Sequence, residues 1–98
     1  MKTISSEQVR LRMTQLISDC LVSPDAAVTR ALERIRTDSA LERTAAQLIA
    51  ENNRIAAEKR RYACQDTGQA VIMVRLGDEA HCAGLYAALD AAVRDAYA

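Results

Sequence analysis

Apolar residues return at helical intervals from the start of the chain. Val9, Met13, Leu16, Ile17, Cys20 and Leu21 fall on one face of a helix over about residues 6–22, with Ser5 or Ser6 available as its N-cap. Ser23-Pro24-Asp25 restarts the chain, with Ser23 as the expected cap and Pro24 at the first helical position, where its missing N–H costs no hydrogen bond. Val28, Ala31, Leu32 and Ile35 form the apolar stripe of the second helix. A second break falls at Asp38-Ser39, and Ser39 with Glu42 three residues on has the form of a capping box. The third helix then carries Leu41, Ala45, Leu48, Ile49, Ile55 and Ala56 on its buried side, with Asn52 on the same stripe.

The pattern changes after Arg61. Ala70 to Val74 is an unbroken apolar stretch, and the segment from Val71 to Leu76 reads as a buried strand. Gly77-Asp78 turns the chain, and Leu85, Ala88, Leu89, Ala92, Val93 and Ala96 define a last helix expected to run on to Ala98. The predicted fold is therefore mostly α in an α+β arrangement: several N-terminal helices, a cysteine-bearing loop, one buried strand and a C-terminal helix. A strand buried on both faces needs neighbours on each edge and helices on both sides, and this chain offers one convincing strand. Residues 1–98 are thus expected to be an incomplete portion of a larger α/β domain, with no repeat or Pro/Gly-rich linker to mark a boundary.

Composition narrows the function. Lysine plus arginine and aspartate plus glutamate number 13 each, so the net charge is zero and no basic field draws in nucleic acid or an anionic membrane. Half the residues are hydrophobic but only 3 % are aromatic, with no Trp or Phe, which favours closely packed helices. Cys20, Cys64 and Cys82 form neither a CxxC pair nor an even disulfide framework, so a reducing, cytoplasmic setting is expected. The N-terminus lacks the apolar core of a signal peptide, and no run approaches the roughly 20 apolar residues of a membrane span.

Candidate chemistry gathers in Cys64-Gln65-Asp66-Thr67-Gly68, where a thiol, an amide, a carboxylate and a hydroxyl stand on consecutive positions closed by glycine. Irregular segments on a fixed scaffold carry function disproportionately often. Around it the bland readings are preferred. Asn52 either positions the following loop as a buried amide or bonds water or backbone at a boundary, and the second is favoured. Lys59-Arg60-Arg61 either steers an anionic substrate or complements the negative end of the third helix, and the helix end suffices. His81, the one histidine, has no metal-ligand spacing around it and is expected on the surface at the start of the last helix. Cys20 is read as a small hydrophobe on its stripe, and Cys82 as the opening of the last helix.

The phrase Ala63-Cys64-Gln65-Asp66-Thr67-Gly68, preceded by Glu51-Asn52-Asn53-Arg54-Ile55-Ala56 and followed by Val71 to Leu76 and Gly77, resembles the N-terminal region of the iron–sulfur hydro-lyases. That family holds the class I fumarases and the alpha subunit of L-tartrate dehydratase, and the resemblance runs from near Leu16 to Ala98. It implies a hydro-lyase acting on a four-carbon dicarboxylate, fumarate to malate first and tartrate to oxaloacetate second. It further implies a 4Fe–4S cluster held by three cysteines, with Cys64 as one ligand and the others supplied downstream, not by Cys20 or Cys82.

The resemblance also places Gln65 and Asp66 in the substrate pocket, with Asp66 as the general acid for the leaving water. Both converge on one ligand only if the loop turns sharply, which Gly68 permits. Thr67 either touches cluster or substrate or bonds local backbone, and backbone is favoured. The base and the arginines that clamp the substrate carboxylates come, in the family, from later segments. The isolated chain is accordingly expected to be inactive and to need the remainder of the enzyme or a second subunit in a homo- or hetero-oligomer. Two other readings stand beside this one: a small helical association module with no catalysis of its own, and, weakest, a redox or metal site made from Cys20, Cys64 and Cys82.

Overall fold

The protein, in a computed structural model, is described over residues 1–23, 25–64 and 69–98. It is mostly helical. In chain order the elements are β1 (Lys2–Thr3), α1 (Ser6–Val22), α2 (Ala26–Glu33), α3 (Ala40–Lys59), β2 (Ala80–His81) and α4 (Leu85–Ala96). They belong to two compact units, Met1–Ser18 with Thr67–Ala98, and Asp19–Asp66.

In the first unit β1 and β2 pair in parallel, Lys2 opposite Ala80 and Thr3 opposite His81. The Lys2 N–H donates to the Glu79 carbonyl at 2.7 Å, and the Ile4 N–H to the His81 carbonyl at 2.8 Å. The predicted turn is present, closed by the Ala80 N–H on the Gly77 carbonyl at 3.0 Å. Gly84 caps α4 at φ 73°, a left-handed conformation that glycine adopts without a Cβ penalty. The periodic residues Ala88, Leu89, Ala92 and Ala96 are buried, as their spacing predicts, with Ala92 fully excluded from solvent. The helix stops at Ala96 with Tyr97 as its C-cap, two residues short of the expected run.

Arg10 grips Asp95 from α1, with Nε at 2.6 Å and Nη2 at 3.0 Å from the two carboxylate oxygens. The guanidinium's hydrogen bond, ahead of its charge, holds the Asp95 carboxyl below its ordinary range. A depressed carboxylate stabilises above its unfolded pKa, and the benefit disappears as pH falls through the folded value. Both side chains are substantially exposed, so solvent screening keeps this contribution small.

In the second unit α2 and α3 pack together, and among the described residues Val22 and Ala56 are the buried apolar ones. Ser23 does not cap α2. Asp25 does, its carboxylate accepting the Ala27 N–H at 2.7 Å, and a charged cap also complements the positive end of the helix. Pro24 lies outside the described residues. Ile35 falls beyond the end of α2 and is exposed, as is Val28.

The capping box on α3 forms by relay. Ser39 Oγ accepts the Glu42 N–H at 3.3 Å, while the Glu42 carboxylate accepts the Thr37 hydroxyl and Thr37 Oγ1 in turn accepts the Ser39 N–H at 3.2 Å. Ala56 lies buried on α3 as predicted, but Leu41, Leu48 and Ile49 of the same stripe are exposed. Periodicity identifies a face that gains by burial; it does not supply the surface that covers it.

The largest departure concerns Val71 to Leu76. Residues 69–77 form neither strand nor helix, and Val71 and Met73 are 79 % and 92 % exposed. The even-numbered Ala70, Ile72 and Val74 share a groove with Leu89 and Val93 of α4. The segment thus has the alternation of a one-sided strand rather than a strand buried on both faces. A strand exists only with a partner for its backbone, and the sole ladder among the described residues is the two-residue pairing of β1 with β2.

Candidate functional site

Cys64 follows α3 after a short, well-tethered exit. The helix ends in a left-handed residue, Arg60 at φ 52° and ψ 46°, and the N–H groups of Arg60 and Arg61 both reach the Ala56 carbonyl. That pattern, a bond from beyond the cap back into the last turn, satisfies a helix-end carbonyl and reverses the chain. Arg60 takes this left-handed conformation although it carries a Cβ, and its guanidinium donates to Asp19 at 2.8 Å.

The residue before the cysteine is tied from both sides. The Ala63 N–H donates to the Leu21 carbonyl at 2.9 Å, and the Ala63 carbonyl accepts from Asn52 Nδ2 at 2.7 Å. Asn52 is exposed rather than buried, and it bonds backbone, the preferred reading; the carbonyl it bonds is the one that joins Cys64. Cys64 itself is a free, exposed thiol. Gln65, Asp66, Thr67 and Gly68, with the substrate-binding and acid roles expected of Gln65 and Asp66, lie outside the described residues.

Removing the Asn52 amide should loosen this exit without unfolding α3. A single exposed hydrogen bond contributes about 1 kcal/mol, which corresponds to roughly fivefold in a local opening equilibrium. Asn52→Ala is therefore expected to speed hydrogen exchange at the Ala63 amide by about that factor, while amides in the middle of α3 keep their protection. Unchanged exchange at Ala63 would show that Leu21 alone sets the position.

The remaining candidates are dispersed. Cys20 is exposed on α1, not buried in its stripe, because the inward positions at this end are Leu21 and Val22. Cys82 lies in the turn between β2 and α4 rather than in the helix, half-buried, with Sγ 4.0 Å from the Ala83 carbonyl. His81 is exposed as expected, but it belongs to β2. Among the described residues no group of three His, Cys, Asp or Glu side chains comes together to hold a metal ion. The donor set of these residues therefore fits one corner of a metal centre, the Cys64 thiol, and no more.

Two nearby cations, Arg54 and Arg60, are already engaged. Arg54 lies between Glu51 and Glu58, with contacts at 3.0 and 2.8 Å, and these carboxylates raise its pKa further above the ordinary range while Arg54 lowers that of Glu51. The i−3 and i+4 spacing made those pairs legible in the sequence. The Arg60–Asp19 pair was not legible, since nothing local links positions 41 apart. Of the basic triplet, Lys59 closes α3 and Arg60 is its cap, so the helix-end reading accounts for both.

The family model for fumarate hydratase (Fumerase) matches residues 10–98, and the chain belongs to that family. At this level it is a fumarate hydratase-related hydro-lyase, in agreement with the resemblance carried by the Cys64 loop. Neither the curated proteins nor the solved structures compared with the chain gave a match. No helix among the described residues is long and apolar enough to cross a membrane.

Proposed function

We propose that the chain forms part of a 4Fe–4S-dependent hydro-lyase that reversibly adds or removes water on a four-carbon dicarboxylate. Fumarate and malate are the first choice of substrate pair, and tartrate to oxaloacetate the second. The observation that carries this reading is the family match spanning the segment in which α1 and α3 tether the free, exposed Cys64. When bound, the cluster would supply a Lewis-acidic iron that draws electron density from a substrate hydroxyl or carboxylate.

Cys64 serves as one thiolate ligand. Gln65 donates its amide to a substrate carboxylate, and Asp66 holds the proton delivered to the departing hydroxyl, taking it back in the hydration direction. The other ligands, the base and the substrate-clamping cations come from the remainder of the enzyme or a second subunit. Oxygen-sensitive thiolate chemistry of this kind belongs in a reducing cytoplasm.

Steady-state assay of the complete, anaerobically reconstituted enzyme tests the proposal. Fumarate hydration is expected to proceed with a larger kcat/KM than L-tartrate dehydration. The reverse order would assign the second substrate pair, and turnover of neither would sink the dicarboxylate reading.

A further inference from the structure

The Ala63 N–H and the Ala63 carbonyl belong to two successive peptide planes, and a different helix anchors each plane. The N–H donates at 2.9 Å to the Leu21 carbonyl in the last turn of α1, where a helix-end carbonyl has no intrahelical partner. The carbonyl accepts Asn52 Nδ2 of α3 at 2.7 Å. Fixing both planes fixes the φ and ψ of Ala63 between them, and the second plane ends at the Cys64 Cα. Peptide bonds among the described residues are trans, so the Cys64 N–H points away from Asn52. Only the rotations of Cys64 itself are left to aim the thiol.

The helix sets Asn52 in place for this contact. Asn52 and Ala56 stand four residues apart on one face of α3, and the Ala56 carbonyl receives the N–H groups of Arg60 and Arg61 as the chain reverses. The returning segment therefore runs back along the face that carries Asn52. A carbonyl oxygen only accepts, so the amide presents its NH2, and an ionised carboxylate of the same size would repel it. Asn52 is exposed, and alanine is the stronger helix former, so α3 gains nothing from this amide that alanine would not supply. What the amide supplies is the orientation of the Ala63–Cys64 peptide. We propose, on the reading of Cys64 as a cluster ligand, that Asn52 is a positioning residue: it acts through the Ala63 carbonyl to hold Cys64 for ligation and so slows the loss of iron. Partners standing one step behind a metal ligand change metal affinity by about tenfold or more when removed.

Release of iron from the complete, anaerobically reconstituted enzyme to a ferrous-iron chelator tests this role. Asn52→Ala and Asn52→Asp should each release iron about five- to tenfold faster than the unaltered enzyme. Asn52→Gln, which keeps the donor on a stem one methylene longer, should fall between. Aspartate matches asparagine in size and glutamine matches it in chemistry, so the series separates hydrogen-bond donation from mere bulk. Helical circular dichroism should be unchanged in all three variants. Iron release at the unaltered rate in Asn52→Asp would overturn the proposal, as would a loss of helix in that variant, which would make the amide a support of the fold. Cys64→Ala, measured beside them, should bind no iron. If it binds none while the Asn52 variants release iron normally, the positioning role alone fails; if it keeps its full iron, the ligand reading fails and the positioning role with it.

Discussion

Asp66→Asn is expected to lower kcat for fumarate hydration by about 10²–10⁴, the range typical of removing a positioned general acid or base. The amide nearly matches the carboxyl in shape and keeps a hydrogen-bond donor, but it cannot exchange a proton with the hydroxyl that arrives or leaves. If Asp66 acts in proton transfer, the loss falls on kcat, because the substitution leaves the substrate's other contacts unaltered. The visible absorption and iron content of the reconstituted enzyme should match those of the unaltered protein. A near-normal kcat would remove Asp66 from the chemistry, and a raised KM with kcat intact would make it a binding residue only.

Cys64→Ala should have the other large effect, loss of the cluster and with it all activity. A 4Fe–4S centre is held by thiolates, and Cys64 is the free, exposed thiol of the candidate site. Iron and sulfide content after anaerobic reconstitution of the complete enzyme should fall to background in this variant, while Cys20→Ala and Cys82→Ala retain a full complement. Reconstitution of the 98-residue chain by itself should leave no stoichiometric cluster, since its described residues bring no three metal-ligand side chains together. A stable cluster on the isolated chain, lost in Cys20→Ala or Cys82→Ala as well, would mean that the three cysteines form their own site.

Features that depend on neighbours a few residues away could be read from the sequence. The α1 limits, Ser6–Val22, match the predicted 6–22 because its stripe repeats at helical spacing over several turns. The Ser39 cap, the Gly77-Asp78 turn and the buried row of α4 follow from equally local chemistry. Where two local signals competed, the choice failed: Ser23 and Asp25 both have cap-forming side chains, and the carboxylate took the role. At Cys20 the stripe was right for the helix and wrong for the residue, because a cysteine at its margin faces solvent once Val22 takes the interior.

The candidate site divides along the same line. The Cys64 loop stood out in the sequence by its run of chemically active side chains, and its family likeness rests on those residues. The tethering of Ala63 by Leu21 did not stand out, because a backbone hydrogen bond between residues 42 positions apart leaves no local pattern, whereas Asn52, 11 positions away, was a visible candidate for the contact it makes. Val71 to Leu76 marks the limit most clearly, since its apolar run signals readiness to pair but cannot show whether a ladder forms.

By itself the sequence determined the helices and their turns, which follow from side-chain spacing and capping over a few residues. Tertiary structure alone decided which apolar faces are covered, which carboxylate answers Arg60 and how Ala63 is held beside Cys64. Those outcomes depend on contacts between distant parts of the chain, and their free energies exist only after the backbone has brought the groups together.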